Sequence, residues 1–203
     1  SCRIYLRTEK HPIVNKLKET IKYTSLDYFY DSEENFEDVY YKISKHIVEL
    51  AKEGDLVYAV PGHPRVAEKT VGIIESMAKE NNIEVETIAS MSFVDAMFNY
   101  LAVDPADGFK LIDAFEIENS YIDTNTSMII TQIYDHFIAS NIKLKLMEYY
   151  DYDQEVCIVN GAGVKNLESK KYVPLYELDR SENLFNYLTS LYIPKSSKKM
   201  YNT

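Results

Sequence analysis

Residues 55–68 read Asp55-Leu56-Val57-Tyr58-Ala59-Val60-Pro61-Gly62-His63-Pro64-Arg65-Val66-Ala67-Glu68. An apolar strand, Leu56 to Val60, runs into a tight turn of two prolines, a glycine and a histidine. A helical pattern starts directly after it, from about Val66 to Glu80, and Asn81-Asn82 breaks that helix. Strand, turn and helix in this order are the unit of an open α/β fold. Ligands of such folds sit at the carboxyl ends of the strands, where loop backbone is free to contact them. Proline fixes the turn and glycine lets another molecule approach the backbone. These residues alone fit either a ligand loop or an ordinary strand-to-helix turn.

The flanking sequence repeats the alternation. Residues 3–7 alternate as a strand, and a short helix is expected around Pro12 to Lys18. Phe36, Val39, Tyr40, Ile43, Ile47 and Leu50 fall on one face of a helix over 36–50, which Gly54 punctuates. Ile83 to Ala89 alternates and is expected to be another strand. Strand–helix alternation of this kind predicts a parallel sheet. Beyond residue 100 the pattern changes. Asp104-Pro105-Ala106-Asp107-Gly108 is a dense loop signal. Strands are expected over 110–115, 128–133, 155–160, 171–177 and 190–193, with one helix over 134–149. Few helices among several strands predict a mixed sheet. The expected organisation is a first α/β domain over 1–103, a second over 104–194, and a tail or linker start over 195–203.

The chain has 203 residues, enough to bury about 70% of its unfolded surface. Its 32 acidic and 22 basic residues give a net charge of −10. That balance argues against non-specific binding to a phosphate backbone. The short basic run Lys195, Lys198, Lys199 reads as a solvated tail. No apolar run approaches the length of a membrane span. Cys2 and Cys157 make no disulfide framework, and Cys157 lies in an apolar strand pattern as a small core residue. The composition fits a reducing, cytoplasmic compartment.

Chemistry is sparse. None of His11, His46, His63 and His136 stands at metal-site spacing from another ligand, so no metal centre is expected. His46 falls on a polar helix side and His136 opens a helix. His11 and His63 each precede a proline near a strand end, where they could line a cleft. Ser92 can cap the helix that Phe93 opens. Gly161-Ala162-Gly163 follows a strand and reads as a tight turn or a ligand loop. No phosphate loop, nucleophile elbow or zinc-protease motif is present. The acids Glu33, Glu34, Glu37 and Asp38 suit a charged helix start better than a magnesium-dependent hydrolase site. An α/β cleft protein without an obvious nucleophile suits a reaction whose donor is already activated.

Five stretches occur in one order: Arg7-Thr8-Glu9-Lys10-His11-Pro12, Val60 to Glu68, Ser92-Phe93-Val94-Asp95-Ala96, Ile129-Ile130-Thr131-Gln132-Ile133-Tyr134-Asp135, and Pro174-Leu175-Tyr176-Glu177-Leu178-Asp179-Arg180. Together they resemble the tetrapyrrole methylase family. More narrowly, they resemble the N-terminal methylase-like half of bacterial proteins that carry a MazG nucleotide pyrophosphohydrolase domain behind it. The resemblance implies two α/β domains, with S-adenosylmethionine (SAM) held in the cleft between them. It implies methyl transfer to a small-molecule or tetrapyrrole-like acceptor, and a homodimer. It carries SAM-binding roles onto Pro61, Gly62, His63, Val66, Ser92, Phe93, Gln132, Gly161, Ala162 and Gly163. His63 and His11 are the candidates for a proton acceptor. Two departures stand out. His63 occupies a place where many relatives have Asp. The family also sets a strand, a glycine-rich loop and a helix ahead of the position of Ser1, and their loss would expose a sheet edge. The alternative reading is a regulatory module that binds SAM or a nucleotide for a C-terminal MazG domain.

Overall fold

The computed structural model describes residues 2–32, 35–180 and 182–196. The chain divides into two compact units, Ser1–Ser92 and Phe93–Thr203. Residues 197–203 of the expected tail lie outside the described residues.

The first unit runs β1 (Arg3–Leu6), α1 (Val14–Leu17), β2 (Thr24–Ser25), α2 (Tyr28–Ser32), α3 (Phe36–Ala51), β3 (Leu56–Ala59) and α4 (Lys69–Glu80). Its sheet has the order β2-β1-β3, and every pairing is parallel. Helix α3 forms because Val39, Ile43 and Ile47 recur at one-turn spacing and are buried. Asn35 caps it, accepting from the Asp38 N–H, and Glu37 and Asp38 in the first turn suit its positive end. Those residues join Leu26, Val48, Ile74 and Ala78 in one apolar cluster. Each such side chain contributes about 1.5–3 kcal/mol on burial.

The second unit runs α5 (Phe93–Leu101), β4 (Phe109–Asp113), β5 (Ser127–Thr131), α6 (His136–Leu146), β6 (Glu155–Asn160), β7 (Ser169–Pro174) and β8 (Thr189–Ile193). The sheet order is β4-β5-β8-β6-β7. The β4–β5 pair is parallel and the others are antiparallel. The expected α/β class, with a parallel first sheet and a mixed second sheet, is therefore present. Strand β5 is buried along its whole length, as a central strand covered on both faces must be. Met128, Ile130, Ile142, Ile158 and Leu191 sit in its core, and Cys157 is buried as expected.

Four expectations need correction. The units meet at Ser92/Phe93, not at 103/104. Helix α5 belongs with the second unit, where Phe98 packs edge-on against Phe109 at 4.7 Å and Lys170 Nζ donates to the Tyr100 carbonyl at 2.8 Å. The loop signal at 104–108 marks only a local turn, a 3-10 segment capped by Asp104. Helix α4 starts at Lys69, because Ala67 is left-handed and Glu68 is extended. Helix α6 is shorter than 134–149, since Asp135 caps it.

The fourth correction matters most. Residues 83–89 are not a strand. Among the described residues, no backbone group of residues 84–91 takes part in a backbone–backbone hydrogen bond. Alternation makes a segment competent for pairing, but a strand also needs a partner edge. Between this segment and the outer edge of β3 lies a groove of about 610 Å³, with Ile47, Val48, Ile74 and Ala78 among its lining.

Asp27 ties β1 to the next loop. It accepts from Thr8 Oγ1 at 2.6 Å, the Glu9 N–H at 2.7 Å and Ser25 Oγ at 2.9 Å. Burial pushes its acidity one way; these hydrogen bonds outweigh it and hold the carboxyl below its ordinary value. A depressed carboxyl stabilises the fold above the unfolded value of about 4, and that contribution is lost as pH falls through the folded value. Acid titration of unfolding, followed by circular dichroism, should show a shallower stability loss below about pH 4 for Asp27→Asn than for the wild type. In the second unit, Ile130→Ala should cost about 2–5 kcal/mol in urea unfolding. Val57→Ala, at a side chain 45% exposed, should cost under about 1 kcal/mol.

Candidate functional site

Three of the expected site segments share one backbone feature: a left-handed residue just past the carboxyl end of a strand. Gly62 (φ 77) follows β3, Gln132 (φ 65) follows β5, and Gly161 (φ 57) and Gly163 (φ 80) follow β6. Such a residue lets the chain turn off the sheet. For Gln132 the conformation carries strain of roughly 1–3 kcal/mol, which persists only where the surroundings enforce it.

In the first unit the loop after β3 holds Pro61, Gly62, His63 and Val66 together. A β-carbon built on Gly62 would meet no heavy atom within 4 Å, so its backbone faces open space. His63 Nδ1 accepts the Arg65 N–H at 3.0 Å. His11 Nδ1 accepts from Ile13 N at 3.4 Å. An imidazole with Nδ1 used as acceptor carries its proton on Nε2, so each ring presents a donor. Burial, then the nearby Arg7 charge, pushes the pKa of His11 down. Arg65 is taken up by a two-pronged ion pair with Glu75, at 2.5 and 2.6 Å.

In the second unit the topology brings Gln132 and residues 161–163 to one sheet edge. Strands β5 and β6 flank β8 and both run antiparallel to it, so their carboxyl ends lie beside its start. The Ile133 N–H donates to the Thr189 carbonyl at 3.4 Å, and the Gly161 N–H to that of Leu188 at 3.2 Å. Gln132 Nε2 donates to Asp113 Oδ2 at 2.8 Å, and Gln132 Oε1 accepts from the Tyr134 hydroxyl at 2.7 Å. Asp113 ends β4, the neighbour of β5, so the register itself delivers it. Asn160 Oδ1 accepts from Thr189 Oγ1 at 2.7 Å and from Asn186 Nδ2 at 3.2 Å, pinning the turn at Gly161. Gly161 is buried, Ala162 is half-buried and Gly163 is exposed. Ser92 is buried immediately before α5, and the half-buried Phe93 is its first residue.

Sequence reasoning missed Asp113, Tyr134, Asn160 and Asn186. A usable signal existed for Asp113 alone, a lone acid closing an apolar strand. Among the described residues no group of three or more His, Cys, Asp or Glu side chains could hold a metal ion. Nor is any helix there long and apolar enough to cross a membrane.

The two glycine turns should respond differently to a methyl group. At Gly161 a β-carbon would lie 2.9 Å from the Leu167 carbonyl oxygen; at Gly62 it would meet nothing. Gly62→Ala should cost only the backbone penalty of about 1 kcal/mol. Gly161→Ala should cost more than 2 kcal/mol, since backbone must shift as well. Thermal unfolding of the two variants checks the order.

The chain matches the family model for Tetrapyrrole (Corrin/Porphyrin) Methylases over residues 3–179. It is 43% identical to the Bacillus subtilis (strain 168) protein YabN over 202 residues, 98% of this chain and 41% of that protein. The chain thus spans less than half the length of this curated relative. In fold it is similar to the uroporphyrin-III-C-methyltransferase of Thermus thermophilus, with TM-score 0.69 at 14% identity over 96% of this chain and 83% of that one. It is also similar to a diphthine synthase, with TM-score 0.67 at 13% identity over 97% and 80% of the two chains. The methyltransferase CobJ follows, with TM-score 0.64 at 12% identity over 98% and 96%. With a family match that takes in every strand-end turn described above, the chain belongs to the tetrapyrrole (corrin/porphyrin) methylases.

Proposed function

We propose that this chain binds SAM and serves transfer of its methyl group to a small-molecule or tetrapyrrole-like acceptor. One observation carries the reading. The segments to which the resemblance assigns SAM contacts (61–63, 132 and 161–163) each hold a positive-φ residue just past the carboxyl end of a strand. The family match supports the same reading. The donor set fits a nucleoside with an amino-acid tail, which asks for backbone N–H and C=O groups and shaped apolar contact, not for a metal.

When bound, SAM supplies a methyl carbon already activated by a positive sulfur. The protein's part is alignment, which can lower a barrier by roughly 7–11 kcal/mol. The open backbone at Gly62 would approach the ligand, with Pro61 and Val66 giving apolar contact. His63 would donate from Nε2. Gln132 is held by Asp113 and Tyr134, so its turn is set before any ligand arrives. A proton leaving the acceptor would go to His63 or His11, or to solvent. The resemblance also sets a strand and a glycine loop ahead of β1. The groove beside the unpaired edge of β3 is where that strand would pair. A homodimer and a MazG domain behind this chain are part of the same proposal. So is its second form, in which SAM acts as effector for that domain. The greater length of YabN favours keeping that form in view.

Isothermal titration with S-adenosylhomocysteine, the demethylated product, tests the binding claim on the full-length protein. A saturable one-site heat is expected. Gln132→Ala should weaken it roughly tenfold, about 1.4 kcal/mol. No heat and no thermal shift would remove the reading. Turnover separates the two forms: an enzyme makes S-adenosylhomocysteine from SAM with its acceptor, whereas an effector site only binds.

A further inference from the structure

The loop between β3 and α4 is held at both feet by a single residue. Arg7 is the first residue past β1. Its backbone N–H donates to the carbonyl of Ala59, the last residue of β3, at 2.9 Å. Its guanidinium Nε lies 2.8 Å from Oε2 of Glu68, the cap of α4. The loop that carries Pro61, Gly62, His63 and Val66 lies wholly between those anchors.

The clasp is buried and committed. The side chain of Glu68 is 5% exposed and that of Arg7 is 21% exposed. Arg7 Nη1 donates to the Tyr30 hydroxyl at 2.7 Å. Glu68 Oε1 accepts from the Thr70 N–H at 3.1 Å and from Thr70 Oγ1 at 2.5 Å, and Tyr58 meets that hydroxyl at 2.8 Å. The Arg7 Nε–H is not aligned with a hydrogen-bond acceptor, so its attraction to Glu68 is electrostatic and not a linear hydrogen bond. Burial works against the Arg7 charge, and Glu68, then Tyr30 and Tyr58, more than offset it. Between the anchors Ala67 is left-handed at φ 52, a conformation a residue with a β-carbon keeps only under constraint.

We propose that Arg7 and Glu68 are positioning residues that fix the 60–67 loop in the geometry its ligand requires. The inference deepens the SAM reading and rests on it for the ligand, but not for the loop. Breaking one partner of a buried pair leaves the other charge uncompensated, so loss of either should release the loop.

The test uses Glu68→Gln, Arg7→Met and Arg7→Lys in the full-length protein. Two readouts are taken well below the unfolding midpoint found by circular dichroism. They are titration with S-adenosylhomocysteine, and hydrogen exchange of the Gly62, His63, Arg65, Val66 and Ala67 amides. Glu68→Gln keeps the shape and the Thr70 cap; it should weaken binding about tenfold or more and speed exchange in this loop alone. Arg7→Lys restores the charge and should fall between the wild type and Arg7→Met on both readouts. Folded variants with wild-type affinity and wild-type loop exchange would overturn the proposal. So would exchange that rises equally through α3 and β5, since that is general destabilisation. If the wild type binds no S-adenosylhomocysteine, the SAM reading fails, and loop exchange alone decides the clasp. If Glu68→Gln and Arg7→Met do not fold, Tyr30→Phe removes one partner of Arg7 and keeps the pair. It should raise loop exchange severalfold, and an unchanged loop would overturn the proposal.

Discussion

The parallel pairing of β1 with β3 is the constraint on which the first unit depends. Its register sets Arg3 opposite Leu56 and Leu6 opposite Ala59. Two stretches far apart in sequence, 7–12 and 60–68, therefore leave the sheet side by side. Everything chemically distinctive in this unit follows from that meeting. Arg7 can reach both ends of the β3–α4 loop only because β1 and β3 end level. Among the described residues, the strand order leaves the outer edge of β3 unpaired and lined by a groove. An exposed strand edge is a liability in water unless something covers it.

The second unit solves a related problem with antiparallel pairing. Placing β8 between β5 and β6 aims the carboxyl ends of both outer strands at one edge. Two left-handed turns then flank the start of β8, pinned by backbone bonds to Leu188 and Thr189 and by the Asn160–Thr189–Asn186 cluster. The strain at Gln132 is held in place by this frame. A strained turn already fixed before a ligand arrives costs the ligand no ordering. Both units thus place positive-φ turns at strand carboxyl ends, by different topologies.

Much of this was legible in the sequence. Apolar periodicity located α3, α4, β3, β5 and β6 because each buries a continuous face or, for a central strand, nearly every residue. The turn residues marked the loop at 61–64 and the glycines at 161 and 163. Alternation misled at 83–89, where the pattern describes a side-chain arrangement but not the presence of a partner strand. The loop signal at 104–108 misled in the same way, since turn chemistry is local and unit boundaries are not. Helix α2 and strand β2 were too short to show a period. The left-handed Gln132 was illegible because nothing in a glutamine announces positive φ. Its support Asp113 is brought beside it by the β4–β5 register. The Arg7–Glu68 pair was hidden for the same reason: two charges with no sequence proximity, joined by strand order.

The central proposal is that backbone at these strand-end turns contacts an adenosyl ligand. It is tested most directly by amide chemical-shift mapping of the full-length protein titrated with S-adenosylhomocysteine. The account predicts the largest shifts at Gly62, His63, Gln132 and Gly161 to Gly163, with the cores of α3 and β5 quiet. Shifts confined to other surfaces, or none at saturating ligand, would contradict it.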